Sequence, residues 1–449
     1  MPGEGHPNLI VFLTDQQRWD TTGLAGNPMG LTPNFDRLAR RGTHLPHAFT
    51  AQPVCGPSRS CLQTGLYPTV TGCFRNGLSL PGDATTLAHR LGDAGYDTGY
   101  IGKWHLAGSE PVVEAERGGY RHWLAANALE HTSDAYRCEL YDADGQCVLL
   151  PGYRVDALAD AAIRFIAEPR ERPFFLFLSF LEPHQQNHRD DYPAPEGYAQ
   201  RYLSPWTPPD LAALGGSSRR HLPGYYGMVR RLDEALGRLQ DALRSLGQED
   251  RTVVLYTSDH GNHFRTRNQE YKRSCHEASI HVPAALWGPG FWGGGEIDRL
   301  VSLIDLPPTL LEAGGVEASP EMQGSSIRPL LQGNGDGWQD DVYVQISESE
   351  VGRAVRTRRW KYGVTAPGAD RHRDAAASRY VEAHLYDLLA DPYELDNLTG
   401  LESHAGVAGV LRERLRRRML AAGEEAAEIE SAPGRAAGQR RVQREEWSD

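Results

Sequence analysis

Apolar residues along this chain gather into short unbroken runs separated by longer stretches of helical periodicity. Five runs predict buried strands: Asn8–Thr14 (NLIVFLT), Tyr96–Ile101 (YDTGYI), Phe174–Phe180 (FFLFLSF), Thr252–Thr257 (TVVLYT) and Val282–Trp287 (VPAALW). Most are apolar at nearly every position instead of alternate ones, the pattern of strands covered on both faces. Between them, Thr86–Ala94, Arg154–Ala167 and Tyr225–Leu246 repeat apolar residues at helical spacing. Strands alternating with helices predict an α/β/α sandwich around a large, mostly parallel sheet.

The pattern changes at the Gly333–Gly337 segment (GNGDG), which reads as a boundary. Beyond it Asp341–Glu348 and Trp360–Val364 read as short strands and Val407–Leu420 as a helix, a small α+β unit. The expected organisation is a catalytic body over 1–335, a C-terminal subdomain over 336–423, and a charged, frayed tail over 424–449. The Pro-, Asp- and Tyr-rich stretch Glu182–Gly216 predicts a long ordered loop.

Composition narrows the class. With 449 residues, 40% hydrophobic and 24% charged, the chain is too apolar for disorder and too varied for a fibrous fold. No run approaches the ~18 apolar residues of a membrane span. Met1–Pro7 carries neither a basic region nor a cleavage site, so a cytoplasmic setting is expected. The formal charge of −12 excludes a nucleic-acid binder built on a basic face. Three of the 47 basic residues are lysine: Lys103, Lys272 and Lys361. Where the chain keeps lysine amid so much arginine, a compact point charge is wanted. Six cysteines are too few for a disulfide scaffold, although Cys138 and Cys147 flank the Asp144-Gly145 turn and could face each other across a hairpin.

In open α/β sheets ligands bind beyond the carboxyl ends of the strands. Four strands deliver ionisable groups there: Asp15-Gln16, then Lys103-Trp104-His105, then Glu182-Pro183-His184, then Asp259-His260-Gly261. Asp15, Gln16, Asp259 and His260 offer oxygens and an imidazole suited to a divalent cation. Lys103 and Lys272 would balance an anion, and His105 and His184 could carry protons. Cys55 stands just before Pro57, which suits a first helical turn with free N–H groups.

The run Cys55-Gly56-Pro57-Ser58-Arg59 with Thr64-Gly65 resembles the C-x-P-S-R…T-G signature of the type I sulfatase family, in the alkaline-phosphatase superfamily. Gly95-Tyr96…Gly102-Lys103-Trp104-His105, Thr257–Gly261 and Lys272…Glu277…Val282-Pro283 resemble further signatures in family order, and Leu385–Leu388 with Asp391–Glu394 resembles its C-terminal subdomain. The resemblance implies an alkaline-phosphatase-like α/β fold and hydrolysis of a small sulfate ester, of a sulfated sugar or an aryl or other small alcohol. Cys55 would be matured to formylglycine by a formylglycine-generating enzyme. Ca²⁺ would be held by Asp15, Gln16, Asp259, His260 and residue 55, with Mg²⁺ or Mn²⁺ as substitutes. Catalytic roles would fall to Cys55, Arg59, Lys103, His105, His184 and Lys272, and substrate contacts to Asn76, Lys103, His184 and Lys272. Neither membrane nor nucleic acid is an expected partner. Gln16 and His260 depart from the commoner aspartate and asparagine and match phosphonate monoester hydrolases, so phosphonate or phosphodiester hydrolysis is the alternative. A non-catalytic homologue is a second alternative.

Overall fold

The structure is a computed structural model and describes residues 5–436 and 442–447. The main sheet is built from β1 (Asn8–Thr14), β2 (Asp97–Lys103), β3 (His122–Ala126), β4 (Cys138–Asp142), β5 (Cys147–Leu150), β6 (Phe174–Ser179), β7 (Thr252–Ser258) and β8 (Ala284–Trp287). Its order is β8-β7-β1-β6-β2-β3-β4-β5, and two-residue pieces at Thr43–His44 and Gly295–Glu296 extend the β8 edge. The centre is parallel: β1 pairs in parallel with both β6 and β7, and β2 with both β6 and β3. β8 and the β4–β5 hairpin run antiparallel at the flanks.

Both faces of the central strands are covered, which explains their unbroken apolar sequences. Leu9, Val11 and Leu13 of β1 point to one layer, with α3 (Leu87–Asp93) and α7 (Leu306–Ala313). Ile10 and Phe12 point to the other, with α1 (Pro33–Arg41), α5 (Arg154–Ala167) and α6 (Ser218–Ser245). Helix α2 (Cys55–Thr64) lies at the rim of the first layer and is buried along its whole length. Helix α6 begins seven residues before its expected start and carries Pro223 inside its first turns.

A second sheet follows the Gly333–Gly337 boundary: β9 (Asp341–Ile346), β10 (Gly352–Thr357), β11 (Trp360–Thr365), β12 (Arg379–Asp387) and β13 (Glu428–Glu430), in that order. Helix α8 (Ala405–Ala421) packs on it through Val407, Leu411, Leu415 and Met419.

Two expectations are corrected. The tail is not frayed throughout: β13 adds to β12 in parallel, Val442 is buried, and the Trp360 indole N–H donates to the Glu446 carbonyl. Residues 437–441 and 448–449 lie outside the described residues. Cys138 and Cys147 do not face each other. The hairpin register sets Cys138 opposite Leu150 and Cys147 opposite Tyr141, and all six cysteines are free.

Candidate active site

The carboxyl ends of β7, β1, β6 and β2 lie side by side, and every rim residue singled out in the sequence comes from this edge. The peptide ladder continues past the strands: the Asp15 N–H donates to Glu182 O at 3.1 Å, and the Asp259 N–H to Thr14 O at 3.1 Å. Gln16 takes φ +70°, a conformation uncommon outside glycine, and its N–H donates to Asp259 Oδ1 at 3.1 Å.

Cys55 is the first residue of α2, not the residue before it. Its Sγ lies 2.7 Å from Lys272 Nζ, 3.6 Å from Lys103 Nζ, 3.3 Å from His260 Nε2 and 3.6 Å from Asp15 Oδ1. Burial pushes the thiol up, but the Lys103 and Lys272 charges outweigh it and hold Cys55 well below the ordinary thiol value. The position is therefore built to carry an anion.

The two lysines show why arginine would not serve. An ammonium has three donors on one point. Lys272 Nζ meets Cys55 Sγ, His260 Nε2 at 3.1 Å and His184 Nε2 at 3.2 Å. Lys103 Nζ meets Asp15 Oδ2 at 2.8 Å, Glu130 Oε1 at 3.0 Å and Cys55 Sγ. The third lysine, Lys361, sits 2.7 Å from both Glu277 and Glu394. Two of the site histidines are oriented by a main-chain carbonyl: His184 Nδ1 is 2.7 Å from Gln185 O, and His260 Nδ1 is 2.9 Å from Gly261 O. With Nδ1–H donating, each Nε2 lone pair faces the site. Burial and the Lys272 charge lower the His184 pKa.

Arg59 reaches the carboxylates beneath the site instead of the sulfur. Its guanidinium donates to Asp15 Oδ2 at 3.0 Å, Lys103 O at 2.7 Å and Ser179 Oγ at 2.6 Å, and Nε lies 3.2 Å from Asp259 Oδ2. Asp15 is held well below the carboxylate range: burial and Cys55 push it up, but Lys103, His184 and Arg59 prevail. Asp259 is pushed up to about 6 by burial and by Asp15.

Asp15, Cys55, Asp259 and His260 each place one donor atom within 4.8 Å of the others. Both amide atoms of Gln16 are buried with no hydrogen-bond partner among the described residues. A buried amide left unpaired on both sides costs free energy, and a cation accepting Gln16 Oε1 would relieve it. The donor set therefore fits a hard or borderline divalent cation.

Above the cluster opens a cavity of about 330 Å³, lined by Cys55, Asn76, His105, His184, Lys272 and others. Asn76 also has a structural duty: its Oδ1 accepts the Gly56 N–H at 2.9 Å, fixing the start of α2. Gln185 and Asn187 reach the cavity, whereas His188 stands toward Asp134. Glu130 was not foreseen. It couples Lys103 to His105, whose Nδ1 lies 3.8 Å from Glu130 Oε1, and Lys103 and His105 bring it down to about 2 despite burial. Its signal is the strand β3, whose carboxyl end it follows in the short helix α4 (Leu129–Thr132); that strand was not read from the sequence. Arg265, Glu270, Tyr271 and Arg273 at the mouth were likewise missed.

Two lysines and two histidines around an anion-stabilising position, beside a cation-binding cluster on an α/β/α rim, define a hydrolase of anionic esters. Residues 7–316 match the Sulfatase family and residues 269–420 the N-sulphoglucosamine sulphohydrolase C-terminal family. The chain belongs to the sulfatase family and is a sulfuric ester hydrolase. It is 29% identical over 442 residues to an ulvan-active sulfatase of Formosa agariphila, covering 93% of this chain and 82% of that one. It is 25% identical over 484 residues to an N-acetylglucosamine-6-O-sulfatase of Bacteroides thetaiotaomicron, covering 89% and 84%. The fold also superposes on the phosphonate monoester hydrolase of Agrobacterium radiobacter with a TM-score of 0.73 at 24% identity, covering 93% and 96%.

Proposed function

We propose that this sulfatase cleaves the sulfate ester of a sulfated sugar with formylglycine at position 55 and a divalent cation, Ca²⁺ by preference. The observation that carries this is the placement of Cys55 at the start of a buried helix, against two lysines and the cation-binding cluster. The sulfated-sugar class is supported by the ulvan- and N-acetylglucosamine-6-O-sulfate-directed relatives and by the polar cavity mouth.

Asp15, Gln16, Asp259 and His260 would hold the cation, which supplies charge neutralisation for the sulfate and lowers the pKa of a neighbouring hydroxyl. Formylglycine, once hydrated, would supply two hydroxyls on one carbon, one to attack sulfur and one to expel sulfate, and Asp259 would take the proton of the attacking hydroxyl. Lys103 and Lys272 bind the sulfate oxygens, taking the place their N–H groups now give to Cys55 Sγ. The leaving alcohol takes its proton from the Lys272–His184 pair, whose nitrogens are 3.2 Å apart. His105 accepts the proton released as sulfate departs, and Glu130 offsets the charge it gains. Arg59 is a positioning residue, holding Asp15 and Asp259 in register.

Cys55 and Arg59 are each only 1% exposed. A maturation enzyme that reads this segment must therefore act before the fold closes over it. Peptide mass spectrometry of the Cys55 fragment, from a host with the conversion enzyme, is expected to show the aldehyde form. An alkylatable thiol there, in a host that converts a control sulfatase, would overturn the mechanism. Turnover of 4-nitrophenyl sulfate should exceed that of an aryl phosphonate monoester. The reverse order would favour the phosphonate hydrolase, a reading supported by the uncharged Gln16 amide and by the presence of His260 within the cation cluster.

A further inference from the structure

A second cluster of metal-ligating side chains lies outside the rim. Cys275, His276 and His384 each place one donor atom within 4.8 Å of the others. We propose that these three residues form a zinc site that ties the C-terminal sheet to the segment carrying Lys272.

The donor set is a thiol and two imidazoles, the soft-to-borderline chemistry of zinc, unlike the oxygen-rich rim cluster. Ligand atoms around tetrahedral zinc sit about 3.5 Å apart, so small side-chain rotations close the set. Cys275 and His276 are buried, at 1% and 5% exposure. The Nδ1 atoms of both His276 and His384 are buried with no hydrogen-bond partner among the described residues. His276 Nε2 lies 3.1 Å from the Tyr386 hydroxyl. With Nε2–H donating to that oxygen, the His276 Nδ1 lone pair is left free, as outer-shell partners do at zinc sites.

The backbone leaves room for the cluster. Gly363 of β11 pairs with His384 of β12, and a Cβ at Gly363 would lie 3.3 Å from the His384 ring and 3.4 Å from Cys275 Sγ. Three ligands from protein leave the fourth position to water. Binding forms one Zn–S bond and two Zn–N bonds and releases the Cys275 thiol proton to solvent. Lys361 and Arg267 oppose a cation here, while Glu394 and Glu350 offset them. His276 follows Lys272 by four residues, and His384 belongs to β12, so an occupied site would cross-link the two bodies next to a sulfate-binding lysine.

The test is a Co²⁺ titration, in excess Ca²⁺ to fill the rim cluster, of the full chain with Cys55→Ser, which removes the thiol of that cluster. The thiolate-to-cobalt charge-transfer band is expected to saturate at one equivalent and to be displaced by Zn²⁺. Cys275→Ser on that background should abolish the band. His384→Asn, at the more exposed position, should weaken Zn²⁺ binding at least tenfold while retaining the native circular dichroism spectrum. A folded protein that shows no band overturns the proposal. So does a band that survives Cys275→Ser, or a Zn²⁺ affinity unchanged in folded His384→Asn.

Discussion

Lys103→Met tests the electrostatic design of the rim. Methionine keeps the unbranched stem and removes the charge. Lys103 is fully buried, with Nζ 2.8 Å from Asp15 and 3.0 Å from Glu130. Its loss leaves Asp15 with Arg59 as its remaining cation and Glu130 with His105 alone beside it, both carboxylates buried. Removing one partner of a buried pair costs about 3–5 kcal/mol, and the cations that remain set the expected loss in the lower part of that range in metal-free protein. Catalysis should fall by a further, separate effect. Removing one preorganised donor to a developing oxyanion costs about 10²–10³ in kcat. The two effects part when a divalent cation is added. Asp15, freed from the ammonium, binds the cation more tightly, so the cation-induced rise in unfolding midpoint should be larger in the variant than in the unmodified chain. A ligand at 100 times its Kd stabilises by about 2.7 kcal/mol, enough to recover much of the loss. Activity should stay low because the lysine is still missing. The assays are urea unfolding with and without Ca²⁺, and kcat/KM on 4-nitrophenyl sulfate. A variant within about 1 kcal/mol of the unmodified chain without metal, the range of harmless substitutions, would refute the buried-pair account. So would a cation response no larger than that of the unmodified chain.

Gly102→Ala should be severely destabilising, by about 3 kcal/mol or more, because Gly102 has φ +109° and a Cβ there would lie 1.8 Å from Ser179 O; thermal unfolding checks it. His263 is fully buried against Lys272 O and burial lowers it to about 4 from 6.5. The unfolded chain takes up that proton first, so stability present above pH 6.5 is lost as pH falls toward 4, by about 3 kcal/mol for this group. His263→Gln should flatten the pH dependence of the urea midpoint across that window. Leu415→Ala removes a fully buried side chain between α8 and the second sheet and should cost about 2–5 kcal/mol, read as a lowered urea midpoint.

The strands that carry the site were legible because they are buried on both faces and so are apolar throughout. β1 and α5 agree with the expected bounds at both ends. Asp15, Lys103, His184 and Asp259 could be picked out from their places just beyond such strands. By contrast, β3, β10 and β12 were missed. In β10 and β12 the apolar positions are interrupted by Arg353, Arg356 and Glu382, whose charges are met by partners distant in sequence: Arg353 by Glu424, Arg356 by Glu277 and Glu382 by Arg412. Glu130 went with β3.

Sequence alone determined the α/β/α class, the strand ends that build the rim and the residue types gathered there. These are local matters of periodicity and of which side chains can carry charge or ligate a cation. Tertiary structure decided which of those groups touch. It turned Arg59 away from Cys55 onto two carboxylates, gave each of two lysines three acceptors, and made Glu130 the link between Lys103 and His105. It also set Cys275 and His276 against His384, more than a hundred residues away. Such partnerships depend on strand order and on the closing of distant segments over one another, which no local pattern of residues encodes.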